Sequence, residues 1–138
     1  MVRIILAIFI IAHGLVHSVL AIAPDPDALE AKPFEFFSSL DRSLILSKIG
    51  VSAEIGRFIG FGLVILATLG FILSGLGILG IPLLIVIWRG LAIGASLVSL
   101  ILLILFWHKW LPVGVIIDLA VIFAMMISFS QIEELISG

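Results

Sequence analysis

His13 and His17 are the residues in this chain best suited to chemistry. They are four apart, so on a helix their imidazoles share one face. That spacing suits a two-histidine metal pair, a proton relay, or a site that hydrogen-bonds a polar head such as a quinone carbonyl. Glu54 or Asp118 could complete a His₂-carboxylate metal set without any thiol. The plainer use of each histidine is a hydrogen bond to a neighbouring helix, worth about 1 kcal/mol in a membrane. Haem needs a second axial ligand at matched depth. His108, the third histidine, falls too near the end of its apolar segment, so haem ranks last. The sequence requires no cofactor, and a quinone or a divalent metal both stay open. Asp118 stands between Ile117 and Leu119 in an otherwise apolar run. If it faces a protein interior it needs Arg57 or a histidine as partner, or it stays protonated. If it sits shallow, near its helix start, water suffices. Glu54 and Arg57 are one turn apart and are expected to pair at an interface.

The elements that must position these groups are hydrophobic. Of 138 residues, 63% are hydrophobic and 12% charged, and the mean hydropathy is +1.45. A soluble domain carries about 25% charged residues, so this chain cannot coat a soluble globule and reads as a membrane domain. The absence of Cys excludes disulfides and thiolate chemistry. A net charge of −2 with no basic patch argues against a nucleic-acid partner.

Four apolar segments, residues 2–23, 53–79, 82–107 and 113–130, approach or exceed the roughly 20 residues that span a bilayer. The connections at 75–82 and 108–112 are short, so neighbouring helices are antiparallel. The expected architecture is all-α: an integral membrane four-helix transmembrane bundle forming a single domain over 1–138. The first loop holds most of the charges. Within it, 39–49 reads as an amphipathic helix, with Leu40, Leu44, Ile45 and Ile49 on one face and Asp41, Arg42 and Lys48 on the other. Gly50 suits the position after a helix end, and Ser52 an N-cap, with Glu54 in the following turn. Phe34, Phe36 and Phe37 read as interfacial anchors. Arg3 and Ala21-Ile22-Ala23 imitate a cleavable secretory signal. The length of the apolar run and Pro24 favour a retained first helix. Lys and Arg counted over both faces would put the loops in the cytoplasm, whereas the charges flanking the first helix, which usually dominates, put both termini there, and that orientation is the one expected.

Depth follows from connectivity. His17 lies roughly 10 Å and His13 roughly 16 Å below the exit near Pro24, and Asp118 lies about 8 to 9 Å in from the same side. Glu54, Arg57 and His108 belong to that side too. All six residues, from all four helices, are therefore expected to line one pocket in the loop-bearing half of the bilayer. Arg3 and Arg89 fall in the other half, where Arg89 is expected to snorkel. Trp88, Trp107 and Trp110 read as interfacial belt residues. Gly75 to Gly80 fits G-x-G-x-x-G, but no strand precedes it, so it reads as the loosened end of the second helix. Gly56-x₃-Gly60 and Gly90-x₃-Gly94, extended by Gly62, Gly70, Ala95, Ser96 and Ser99, are small-residue runs that let helices approach.

Arg3, the run Ala12-His13-Gly14-Leu15-Val16-His17, Glu54 with Gly62 and Gly70, and Phe106-Trp107-His108 together resemble the DoxX-like small four-helix membrane proteins. They also resemble uncharacterised prokaryotic proteins with an Ala-His-Gly-Leu-x-His first helix. In DoxX-like proteins a basic residue often follows the helix-one glycine, and here His17 stands near that place. Some relatives are linked to thiosulfate oxidation with quinone as acceptor. The resemblance implies a prokaryotic cell membrane and a redox or quinone-associated role. It supplies no catalytic set, and no motif in the chain marks an enzyme.

The expected function is a small multi-pass membrane protein whose polar pocket binds a small ligand, proton or ion, as a component of a membrane redox complex. His13, His17, Glu54, Arg57, His108 and Asp118 would line that pocket. The competing reading is a structural or accessory subunit with no chemistry of its own. A third, a minimal dimeric transporter, needs a repeat, and spans one–two and three–four are only faintly similar. The partners implied are the lipid bilayer, a small molecule or quinone, and a homo-oligomer or membrane complex.

Overall fold

The computed structural model describes residues 1–24, 46, 48–107 and 111–127. They form four helices and no strand: α1 (Val2–Ile22), α2 (Ala53–Ile78), α3 (Trp88–Leu105) and α4 (Pro112–Ile127). The expected four-helix bundle is borne out. α1, α2 and α3 are long and apolar enough to cross a membrane. Over the described residues α4 has 16 residues, about 24 Å of helix, against a hydrocarbon core of about 30 Å. Large apolar side chains such as Ile5, Ile8, Val19, Phe58, Leu66, Ile101 and Phe123 face outward. In water that surface would be unstable, whereas acyl chains solvate it.

Most of the expected amphipathic helix at 39–49 lies outside the described residues, as do Phe34, Phe36 and Phe37. The described residues at its end form a turn: Val51 N–H bonds to the Leu46 carbonyl at 3.2 Å, with Gly50 at φ 72 between them. Ser52 caps α2, accepting from Ile55 N–H at 3.4 Å.

The third helix begins later than expected. Residues 82–87 form turns, and α3 starts at Trp88. α2 stops in a two-bond closure, Ile81 N–H to Leu76 O and Gly80 N–H to Gly77 O, with Gly80 at φ 97. This is the glycine-terminated stop that a left-handed residue permits. The following turns fold back so tightly that a Cβ on Gly77 would stand 2.5 Å from Trp88 Cβ and 2.7 Å from the Leu84 carbonyl oxygen. Hydropathy alone cannot separate these apolar turns from helix. The G-x-G-x-x-G run is therefore a helix end. Gly75 admits α1 at Ile11, Gly77 admits the turn, and Gly80 reverses the chain.

Neighbours in sequence pack along their lengths, α1 on α2, α2 on α3 and α3 on α4, whereas the backbones of α1 and α4 scarcely meet. Close approach needs small residues. A Cβ on Gly14 would stand 2.6 Å from Phe71 Cβ, and one on Gly70 2.8 Å from Ala95 Cβ. By contrast, Gly62, Gly90 and Gly94 face open space. Hydrogen bonds reinforce the seams. Thr68 Oγ1 donates to the Gly14 carbonyl at 3.1 Å, Ser18 and Thr68 hydroxyls lie 3.0 Å apart, and Ser74 donates to the Trp88 carbonyl at 2.9 Å.

Arg3 and Arg89 are each the second residue of their helix. Arg3 Nε donates to the Ile78 carbonyl at the end of α2, and Arg89 Nη2 donates to the Met125 carbonyl near the end of α4 at 2.8 Å. A cation suits that negative helix end. Arg89 thus turns onto α4 rather than snorkelling. Trp88, expected in a belt, is buried in the core beside Gly77, while Trp107 is exposed and Trp110 lies outside the described residues.

Candidate functional site

The core is divided into layers. One apolar cluster, including Ala7, Ile10, Phe71, Ile78, Ala92 and Val121, fills the end where α1 begins. Another, including Ala21, Val64, Leu102, Leu103, Phe106 and Leu111, fills the loop-bearing end. Along each helix the buried polar residues other than Ser74 fall between these two: His13 and His17 on α1, Thr68 on α2, Ser96 and Ser99 on α3, and Asp118 on α4.

Four of them make a continuous chain. His13 Nε2 lies 2.9 Å from Asp118 Oδ1. Asp118 Oδ2 lies 2.5 Å from Ser99 Oγ, and Ser99 Oγ lies 2.6 Å from His17 Nε2. His17 Nδ1 lies 3.1 Å from the His13 carbonyl, one turn back on α1. Asp118 and Ser99 are 0% exposed and His17 is 3% exposed, so each contact replaces water that these groups have lost. His13 Nδ1 has no hydrogen-bond partner among the described residues. α2 supplies a wall rather than a polar partner. The Phe71 ring sits 4.9 Å from the His13 ring and 6.0 Å from that of His17. Gly14, between the histidines, leaves the room for it.

The expected pocket residues are thus divided. His13, His17 and Asp118 are brought together, and Asp118 takes a histidine as partner rather than Arg57. Glu54 and Arg57 are exposed at the start of α2, where they border a separate cavity with Ala53, Phe58 and Phe61. Arg57 is eleven residues before Thr68, about 16 Å along the helix. The expected Glu54–Arg57 ion pair is not formed. Among the described residues the carboxylate that meets a basic side chain is Asp118, against His13, a contact that is an ion pair only when His13 is protonated. His108 lies outside the described residues. Ser99, which sequence reasoning treated only as a small packing residue, links the two halves of the chain. One signal could have found it: His13 and Ser99 each stand ten residues after an arginine that opens a helix.

A cavity of about 370 Å³ adjoins the two histidines, its other lining residues being Val16, Leu20, Leu103, Leu111, Val113, Gly114 and Ile117. It occupies the side where α1 and α4 do not pack backbone to backbone. A second, wholly apolar groove of about 250 Å³ runs along the same two helices, from Leu6 and Phe9 to Ala124 and Met125. Ile117 borders both.

Nitrogen and oxygen donors of His13, His17 and Asp118 lie within 4.8 Å of one another. Ligand atoms of a tetrahedral zinc, each at about 2.0–2.2 Å from the metal, stand only about 3.5 Å apart. One carboxylate would also leave a divalent ion with net positive charge in an apolar layer. The arrangement suits protons and hydrogen-bonding ligands better. Searches of family models, of curated proteins and of solved structures return no match to this chain.

Proposed function

We propose that this multi-pass membrane protein binds, within the bilayer, a small and largely apolar molecule with a carbonyl or hydroxyl head, of the quinone class. The head is received at His13 and the apolar body lies between α1 and α4. One observation carries the reading: the cavity beside the buried His–Asp–Ser–His chain is apolar apart from His13 and His17. At about 370 Å³, it falls in the range of roughly 300–1,000 Å³ for ligand sites. A ligand that dissolves in lipid reaches such a seam laterally. His13 lines the cavity and keeps one ring nitrogen unengaged, which leaves capacity for a ligand hydrogen bond. The DoxX-like resemblance agrees with this and extends it to a component of a membrane redox complex in a prokaryotic cell.

The alternative is a structural subunit whose polar layer only fastens helices. The hydrogen bonds linking α1, α3 and α4 support that reading equally.

The test uses purified protein in nanodiscs and a short-chain benzoquinone. Saturable binding is expected, read as a thermal shift or as quenching of tryptophan fluorescence. Val16→Trp, at an exposed position lining the cavity, should weaken it at least tenfold without loss of fold, and His13→Gln should do the same. Absence of saturable binding, or binding indifferent to both substitutions, sinks the ligand reading and leaves the structural one.

A further inference from the structure

The buried chain has a proton count that its geometry dictates. His17 Nδ1 faces a backbone carbonyl at 3.1 Å, and a carbonyl oxygen only accepts, so Nδ1 carries a hydrogen. Two short gaps remain, Nε2 to Ser99 Oγ at 2.6 Å and Ser99 Oγ to Asp118 Oδ2 at 2.5 Å. Each gap needs one hydrogen, and the serine hydroxyl has one to give. The other must come from His17 Nε2 or from Asp118. Were Asp118 ionised and His17 neutral, one gap would hold two facing lone pairs with nothing between them. Were both protonated while His13 Nε2 donates to Oδ1, the acid hydrogen would sit on Oδ2 and one gap would hold two hydrogens.

We infer that Asp118, Ser99 and His17 hold one shared, transferable proton, and that the pocket is a proton-exchanging site for weakly acidic hydroxyl compounds such as a benzoquinol. In one form Asp118 is a carboxylic acid and His17 a neutral imidazole. In the other Asp118 is a carboxylate and His17 an imidazolium. Conversion breaks the Asp118 Oδ2–H bond as a new Ser99 O–H bond forms, while the original Ser99 hydrogen passes to His17 Nε2. No electron moves and the layer stays neutral in both forms, as burial in an apolar core favours. The groups facing this chain fit that neutrality. Among the described residues α1 contributes His13 and His17, α2 Phe71 and Thr68, α3 Ser96 and Ser99, and α4 Asp118, with no buried Lys or Arg. Ser96 Oγ, buried one turn from Ser99 and without a partner, leaves a spare polar group in this layer.

The ligand step rests on the proposed function above. A bound hydroxyl gives its proton to His13 Nδ1. As that N–H bond forms, the His13 Nε2 hydrogen passes to ionised Asp118 at Oδ1. The ligand oxyanion is then balanced by the His17 imidazolium, and the return path restores both.

Two measurements separate the relay from the ligand reading. The first uses ligand-free, isotope-labelled protein in nanodiscs. Infrared spectroscopy reads the carboxylic-acid band of Asp118, assigned by its loss in D118N, and nitrogen NMR reads the protonation of His17. The acid fraction of Asp118 and the imidazolium fraction of His17 should sum to one near neutral pH. In S99A, with no hydroxyl to bridge them, the two fractions should no longer sum to one. A wild-type protein with ionised Asp118 and neutral His17, or with both protonated, overturns the proposal, even should S99A fail to fold. The second measurement adds a benzoquinol to the same labelled protein: the two fractions should then sum to more than one, because the ligand proton reaches Asp118 while His17 stays an imidazolium, and a sum unchanged at saturating quinol would overturn the ligand step. Complementary fractions without quinol binding would retain the relay and defeat the ligand reading. Quinol binding beside non-complementary fractions would do the reverse.

Discussion

The hairpin α1–α2 and the hairpin α3–α4 are built on the same device and spend it differently. Each opens with an arginine at the second helical position that caps the end of the next helix, Arg3 on Ile78 and Arg89 on Met125. Ten residues after those arginines stand His13 and Ser99, and seven residues before the capped carbonyls stand Phe71 and Asp118. Corresponding depths thus carry histidine against serine and phenylalanine against aspartate. The first hairpin supplies bases and an aromatic wall. The second supplies the acid and the hydroxyl that links it to the far base. His13 and His17 find their side-chain hydrogen-bond partners on the second hairpin, so the site exists only where the hairpins meet. What is common to the two hairpins is scaffold, and what differs between them is the chemistry.

The strongest way to break this comparison is to give the second hairpin the residue of the first. Asp118→Phe, or the milder Asp118→Ala, leaves His13 Nε2 and the Ser99 hydroxyl without their acceptor. Asp118→Ala is expected to destabilise by about 3 kcal/mol, read from unfolding in mixed micelles. A loss under about 0.5 kcal/mol would show that the hairpins do not depend on that bond.

Next in size is Gly14→Ala. Its Cβ would stand 2.6 Å from Phe71 Cβ, and overpacking of this kind costs about 1–3 kcal/mol. A control in the other hairpin, Gly94→Ala, meets nothing within 4 Å and should leave stability unchanged or slightly higher. Equal losses from the two would erase the distinction between a glycine that admits a neighbour and one that faces outward.

Arg3→Gln and Arg89→Gln sharpen the shared part. Each should cost about 1 kcal/mol by weakening a helix-end interaction, with similar losses in both hairpins and no change in quinone affinity. The smallest effect is expected from Glu54→Gln and Arg57→Gln, at exposed positions away from the polar layer. Such changes alter stability by about 0.5 kcal/mol or less and should leave binding untouched. A tenfold loss of binding there would move the site to the start of α2.

Much of this protein was determined by the sequence alone. The four apolar runs, the histidine face on α1 and the depth of Asp118 all follow from local quantities, composition and a rise of about 1.5 Å per residue. Those quantities also set His13, His17 and Asp118 at comparable distances from the loop-bearing end of the bundle. The tertiary structure decided the rest. It chose His13 over Arg57 as the partner of Asp118, brought in Ser99, left Glu54 and Arg57 outside, and opened a cavity between α1 and α4. It also turned residues 82–87 out of α3. The reason is that depth depends on one chain's rise, whereas partnership depends on how each helix is rotated against its neighbours. That rotation is set by contacts such as Gly14 on Phe71 and Gly70 on Ala95, which join residues far apart in sequence and leave no periodicity to read.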